Sequence, residues 1–106
     1  MSPAVFREYL RTFRQPATIH AICEDYRAAA SIDLEHDKVD LDKKIQCALL
    51  VLWSEKGPFH RMYNVLQTWQ DRAAVQTQGS VMPTGHFLPE QMPKELTQYI
   101  RTFLRA

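Results

Sequence analysis

Met82-Pro83-Thr84-Gly85-His86-Phe87-Leu88-Pro89-Glu90 places a histidine on a glycine-containing loop, with an apolar alternation (Val75, Thr77, Val81) before it and an amphipathic helix after it. An imidazole titrates near neutral pH, so a loop histidine at the carboxyl end of a strand is suited to act as a general base. Gly85 is expected to let the backbone turn tightly enough to aim the ring into a crevice. The opposing reading of His86 is a structural loop histidine bonded to backbone. No Gly-x-Ser-x-Gly elbow, Gly-rich phosphate loop or Cys-x-x-Cys pair accompanies it. The residues supply a base and no nucleophile.

The other candidates carry less. His20, His36 and His60 have no partner at metal-ligand spacing, so no metal site and no cofactor are expected. Glu55 and Asp71 are the carboxylates expected near strand ends. Glu55, just past an apolar run, could orient a histidine or could simply be a solvated loop carboxylate. Tyr26 falls on the apolar side of a helical pattern, where a tyrosine ordinarily belongs to the core. Cys23 and Cys47 fit no redox or metal spacing, and their apolar neighbours predict buried, reduced thiols.

Those residues must be held by one domain or part of one, since the chain has 106 residues. It is 45% hydrophobic and 24% charged, as soluble globular chains are. Thirteen basic residues balance twelve acidic ones, and the arginines are dispersed along the chain. Neither nucleic acid nor an anionic membrane is therefore an expected partner. The longest apolar run, Cys47 to Trp53, is far too short to span a bilayer. Met1-Ser2-Pro3 leads directly into an amphipathic pattern without a leader, which predicts a cytoplasmic protein.

Val5, Phe6, Tyr9, Leu10 and Phe13 recur at helical spacing, and Ser2-Pro3 suits a helix start. Pro16-Ala17-Thr18 opens a second helix bearing Ile19, Ile22, Cys23, Tyr26 and Ala30. The charged stretch 31–44 reads as a short helix or turn followed by a linker. Composition changes at Ile45, where Cys47 to Trp53 is apolar without alternation, as in a parallel strand covered on both faces. Met62, Val65, Leu66 and Trp69 return to helical period. A second strand is expected around Ala74 to Val81, then the His86 loop, then a helix with Met92, Leu96, Tyr99, Ile100 and Phe103 on its buried side. The predicted organisation is a helical part, 1–44, and a strand-helix-strand-helix part, 45–106. Its fold class is α/β, with helix predominating.

Several of these blocks together resemble one family. Phe13-Arg14-Gln15-Pro16-Ala17-Thr18-Ile19-His20-Ala21-Ile22-Cys23-Glu24-Asp25-Tyr26-Arg27-Ala28-Ala29-Ala30 is followed by Asp33-Leu34-Glu35-His36-Asp37, Leu50-Val51-Leu52-Trp53 and Gly85-His86-Phe87-Leu88-Pro89-Glu90. The set resembles the carboxyl-terminal third of haloacetate (fluoroacetate) dehalogenases, which have the α/β-hydrolase fold. The Cys-Glu-Asp-Tyr-Arg-Ala block joined to Asp-x-Glu-His-Asp is its more specific part. Gly-His-Phe is common to many α/β-hydrolases.

The resemblance implies cap helices, the last two parallel strands with their helices, and a catalytic-histidine loop. It implies a small haloacid substrate, whose halide is displaced by an aspartate nucleophile to leave an ester. His86 matches the histidine that activates the hydrolytic water. Tyr26 matches a tyrosine that helps bind the departing halide. The nucleophile, the carboxylate-binding arginines, a His-Trp pair and the triad acid have no counterpart in the chain, so the isolated chain is expected to be inactive and to be a piece of a longer enzyme. Two positions depart from the family: Ser54 stands where Gly usually follows the Trp, and Thr84 where Cys or Ser usually precedes Gly85. Within the fold, an epoxide or ester hydrolase would use the same histidine. A non-catalytic remnant serving as an interaction module is the alternative outside enzymes. Leu49, Leu50, Val51 and Leu52 keep an apolar strand edge that predicts self-association.

Overall fold

The computed structural model describes residues 1–106. The backbone contacts separate it into two units, Met1–Asp42 and Lys43–Ala106, and each is taken by itself.

The first unit is helical: α1 Pro3–Phe13, α2 Pro16–Ala29 and α3 Ile32–Val39. Ser2 caps α1 by accepting a hydrogen bond from the Val5 amide at 3.3 Å, and Pro3 and Pro16 occupy first-turn positions where their missing N–H costs nothing. The charged stretch read as a short helix or turn followed by a linker contains an eight-residue helix. Asp33 and Glu35 in its first turn and His36 and Lys38 in its last complement the helix dipole, which periodicity alone does not register. Glu8–Arg11 and Glu24–Arg27 pair one turn apart, but both pairs are exposed and add little stability. The apolar stripes have the expected spacing and not the expected burial. Phe6, Tyr9, Phe13 and Ile19 are exposed, and only residues such as Leu10 and Ile22 become half-buried. Cys23 is exposed as well, contrary to the buried thiol expected of it, because its side of α2 has nothing packed over it.

In the second unit β1 (Leu50–Ser54) pairs in parallel with β2 (Gln78–Met82), placing Leu50 opposite Gln78 and Ser54 opposite Met82. An isolated bridge between Ile45 and Ala73 lies upstream in the same register. Both strands begin later than the apolar pattern predicts. Just before β2 the outward-facing backbone is tied to Gln70. Its side-chain amide donates to the Val75 carbonyl at 3.1 Å and its oxygen accepts from the Thr77 amide at 2.7 Å. Residues 74, 78 and 82 bond the β1 segment through their backbone, so Val75 and Thr77, of the opposite parity, turn theirs to the other side, where Gln70 satisfies them. Cys47 falls in the gap between bridge and ladder and is exposed, which corrects the second buried thiol.

The crossover from β1 to β2 runs through α4 (Pro58–Met62) and α5 (Val65–Gln70). Tyr63 is extended between them, and Asn64 restarts the helix by accepting from the Gln67 amide at 3.2 Å. A connection containing helices is what a parallel pair demands. After β2 come the His86 loop, α6 (Leu88–Gln91) and α7 (Pro93–Arg105). The Tyr99 and Ser80 hydroxyls lie 3.2 Å apart, which brings α7 against β2. At the centre, Val51 is 9% and Met82 1% exposed, and no other apolar residue is buried. Gly79 is small for a reason: a Cβ there would lie 2.8 Å from the Val51 carbonyl oxygen and 2.7 Å from Leu66.

Candidate active site

Because β1 and β2 are parallel, both chains leave the sheet at the same end, where loops can converge on one spot. Ser54 and Met82 end the ladder as register partners, and the Glu55 amide continues it with a 2.9 Å bond to the Met82 carbonyl. The turn that follows is set by Thr84, which is 3% exposed. Its amide bonds back to the Met82 carbonyl at 2.7 Å. Its carbonyl accepts from the Ser54 hydroxyl at 2.6 Å and from the Lys56 amide at 3.3 Å. The two departures from the family pattern, Ser54 and Thr84, therefore meet in one hydrogen bond.

The side facing α6 is held by Gln91. Its Oε1 accepts from the Gly85 amide at 2.7 Å and from the Thr84 hydroxyl. The Gln91 amide in turn donates to the Phe87 carbonyl at 3.1 Å, and the Leu88 amide to the His86 carbonyl at 3.2 Å. Gly85 serves a different purpose from the one expected. No glycine has a positive φ, so the turn itself makes no demand for a left-handed residue. A Cβ at Gly85 would lie 3.1 Å from Nε2 and 3.2 Å from Oε1 of Gln91. Glycine is there to admit that amide.

His86 is exposed at the carboxyl ends of the strands, and its ring forms a T-shaped pair with Phe87 at 5.1 Å and 82°. No hydrogen bond joins its ring to the backbone. An imidazole free of partners can take a proton from water or substrate. Glu55 follows β1 and is exposed, without a bond from its carboxylate to His86. Asp71 lies near the other end of the strands. It lies before β2, accepts from Gln67 Nε2 at 2.7 Å through its carboxylate, and takes Lys44 Nζ on its backbone oxygen at 2.5 Å. Both it and Lys44 precede the strands, so Asp71 sits at the amino ends, away from the loop chemistry.

Tyr26, in the helical unit, is 75% exposed on α2 and not the core residue its helix position suggested. His20, His36 and His60 are exposed, and no group of three potential ligands assembles anywhere. Beside the carboxyl end of β1, half-buried Trp53 donates its indole N–H to His60 Nδ1 at 3.1 Å. That bond leaves Nδ1 as an acceptor and sets the His60 tautomer. An open cleft of about 440 Å³ adjoins this pair, with Phe59, Tyr63 and Trp69 in its wall. Sequence reasoning missed Gln91 and the Trp53–His60 pair. The first carried a faint signal, a lone amide in the short segment after a Gly-His loop. The second had none, since indole-to-imidazole contacts depend on how α4 folds back.

No family model matches the chain. It is 36% identical over 102 residues to a fluoroacetate dehalogenase from Burkholderia sp., an alignment that covers 96% of this chain and 33% of that protein. Among solved structures, a candidate α/β hydrolase from Nostoc sp. PCC 7120 superposes with a TM-score of 0.91 and 56% identity, over 98% of this chain and 35% of the other. A candidate acyltransferase from Salmonella enterica gives 0.89 and 44%, over 98% of this chain and 34% of the other. The chain thus spans about a third of the length of each. No helix is long and apolar enough to cross a membrane.

Proposed function

We propose that this chain, which has the fold of one third of an α/β-hydrolase, supplies the water-activating base of a hydrolase that cleaves carbon–halogen bonds in small 2-haloacids. The observation that carries the reading is His86: a partner-free imidazole, at the shared carboxyl end of two parallel strands, on a loop clamped from both sides. The 36% identity to a fluoroacetate dehalogenase, extending through the Tyr26 block as well as the Gly-His-Phe loop, favours halide over other leaving groups. The same base would serve an epoxide or ester hydrolase.

The chemistry runs in two steps. A carboxylate oxygen attacks the carbon bearing the halogen, forming a C–O bond while the halide leaves with the C–X electron pair. That carboxylate has no counterpart in these residues and belongs to the part of the relatives that the chain does not span. In the second step His86 removes a proton from water as the water oxygen attacks the ester carbonyl. The hydroxy acid departs and the carboxylate is regenerated. Tyr26, with its hydroxyl exposed, would hydrogen-bond the leaving halide.

The test is His86→Asn in a polypeptide that carries this chain with the rest of the hydrolase fold. Displacement should proceed and hydrolysis stop, so that mass spectrometry after incubation with fluoroacetate finds a carboxymethyl adduct. Unmodified protein with full turnover would remove His86 from the mechanism. Unmodified protein with no turnover would instead reject the haloacid and turn attention to epoxides and esters.

A further inference from the structure

We propose that Gln91 is a positioning residue for His86, acting through a hydrogen-bonded brace, Ser54–Thr84–Gln91–Gly85, that fixes the loop backbone and so aims the imidazole. The proposal rests on reading His86 as the base. The ring itself is exposed, and its T-shaped contact with Phe87 is too weak to hold it to a fraction of an ångström. Its direction must therefore come from the backbone that carries it.

That backbone is tied on both sides. Ser54, at the end of β1, donates to the Thr84 carbonyl at 2.6 Å. Gln91, at the end of α6, receives the Thr84 hydroxyl and the Gly85 amide on one oxygen. Thr84 is thus anchored to β1 through its carbonyl and to α6 through its side chain, and it is buried too deeply for water to substitute for either bond. The Gly85 amide is the last backbone donor before His86. The absence of a Cβ at Gly85 is what allows the Gln91 amide to approach it. Gln91 touches neither substrate nor the reacting atoms in the proposed scheme, so its effect should fall on the step that uses His86.

The test uses the complete hydrolase, with Gln91→Met to keep length and remove the acceptor, and Gln91→Glu to restore an acceptor oxygen. Displacement of a base by about 1 Å costs on the order of 100-fold. Gln91→Met should therefore lower kcat by about 10- to 100-fold, lower KM along with it so that kcat/KM, which reports the displacement step, stays within about twofold, and let the ester intermediate accumulate. Gln91→Glu should recover most of that loss. In parallel, the Gly85 amide proton should shift upfield in Gln91→Met and hold its position in Gln91→Glu. An unmoved Gly85 resonance, or equal slowing of halide release and ester hydrolysis, would overturn the brace. Should Gln91→Met not fold, Ser54→Ala enters the same network from β1 and should slow ester hydrolysis selectively. Turnover that survives His86→Ala would remove the base, and the positioning role with it, whereas loss of turnover in His86→Ala with an unaffected Gln91→Met would reject the brace alone.

Discussion

Two glycine-to-alanine substitutions should separate stability from catalysis. At Gly79 the added Cβ would meet Val51 O at 2.8 Å, where ordinary contact begins at 3.4 Å, so the paired strands must part by about 0.6 Å. Leu66 Cδ1, at 2.7 Å, can rotate away, but the Val51 oxygen is part of the neighbouring strand's backbone. Overpacking of this kind costs about 1–3 kcal/mol. Replacing a glycine within a strand returns roughly 0.5–1 kcal/mol of chain entropy, which leaves a net loss centred near about 1 kcal/mol. At Gly85 the obstruction is the end of the Gln91 side chain at 3.1 Å, which can swing aside. Swinging aside breaks the bonds from Gly85 and Thr84. Urea unfolding and turnover per folded molecule, measured on the complete hydrolase, report the two effects separately. Gly79→Ala should lower the unfolding midpoint with an unchanged slope and leave turnover per folded molecule intact. Gly85→Ala should reduce turnover by more than its fall in stability explains. An unchanged midpoint for Gly79→Ala would refute the steric argument, and undiminished turnover in Gly85→Ala would show that the loop does not need Gln91.

Two further outcomes are expected. In the complete hydrolase Tyr26→Phe should slow fluoride release more than chloride release, because fluoride concentrates charge and gains most from a donor aimed at it; equal losses from parallel halide assays would remove Tyr26 from halide binding. The 106-residue chain alone should self-associate at micromolar concentration, since the outer edge of β1 has no strand partner and Val51 and Met82 are its only buried apolar residues; sedimentation showing a monomer independent of concentration would contradict this.

The legible part of the sequence was periodicity and punctuation. The stripes of α1, α2 and α7, the prolines at helix starts and the order of strands and helices all follow from local spacing. Burial did not follow. Phe6, Phe13, Cys23 and Tyr26 occupy positions that read as core and are exposed. Period reports which side of a helix is apolar and says nothing of what lies over it. Strand starts did not follow either: apolar residues run on through Cys47–Leu49 and Ala74–Val75, where only an isolated bridge pairs the chains, and composition does not register where pairing lapses. At the candidate site the histidine was visible, and its supports were not. Ser54 and Thr84 read as separate oddities thirty residues apart, and the hydrogen bond between them shows them to be parts of one device.

The two ends of the sheet differ in how completely their buried polar groups are satisfied, and the difference bears on where chemistry can be sited. At the amino end Thr77 is buried with its amide bonded to Gln70, but its hydroxyl oxygen has no partner. An orphaned group of this kind costs about 1–3 kcal/mol. At the carboxyl end Thr84 is equally buried, yet its amide, carbonyl and hydroxyl are all engaged. A loop that must present a bare imidazole to solvent cannot gain its rigidity from packing that ring. It can gain rigidity from saturated hydrogen bonding in the residues immediately before it, where each donor and acceptor has one geometry to satisfy. The brace thus separates two demands that conflict in a single side chain: the His86 ring stays exposed, and the backbone beneath it is held to β1 and α6.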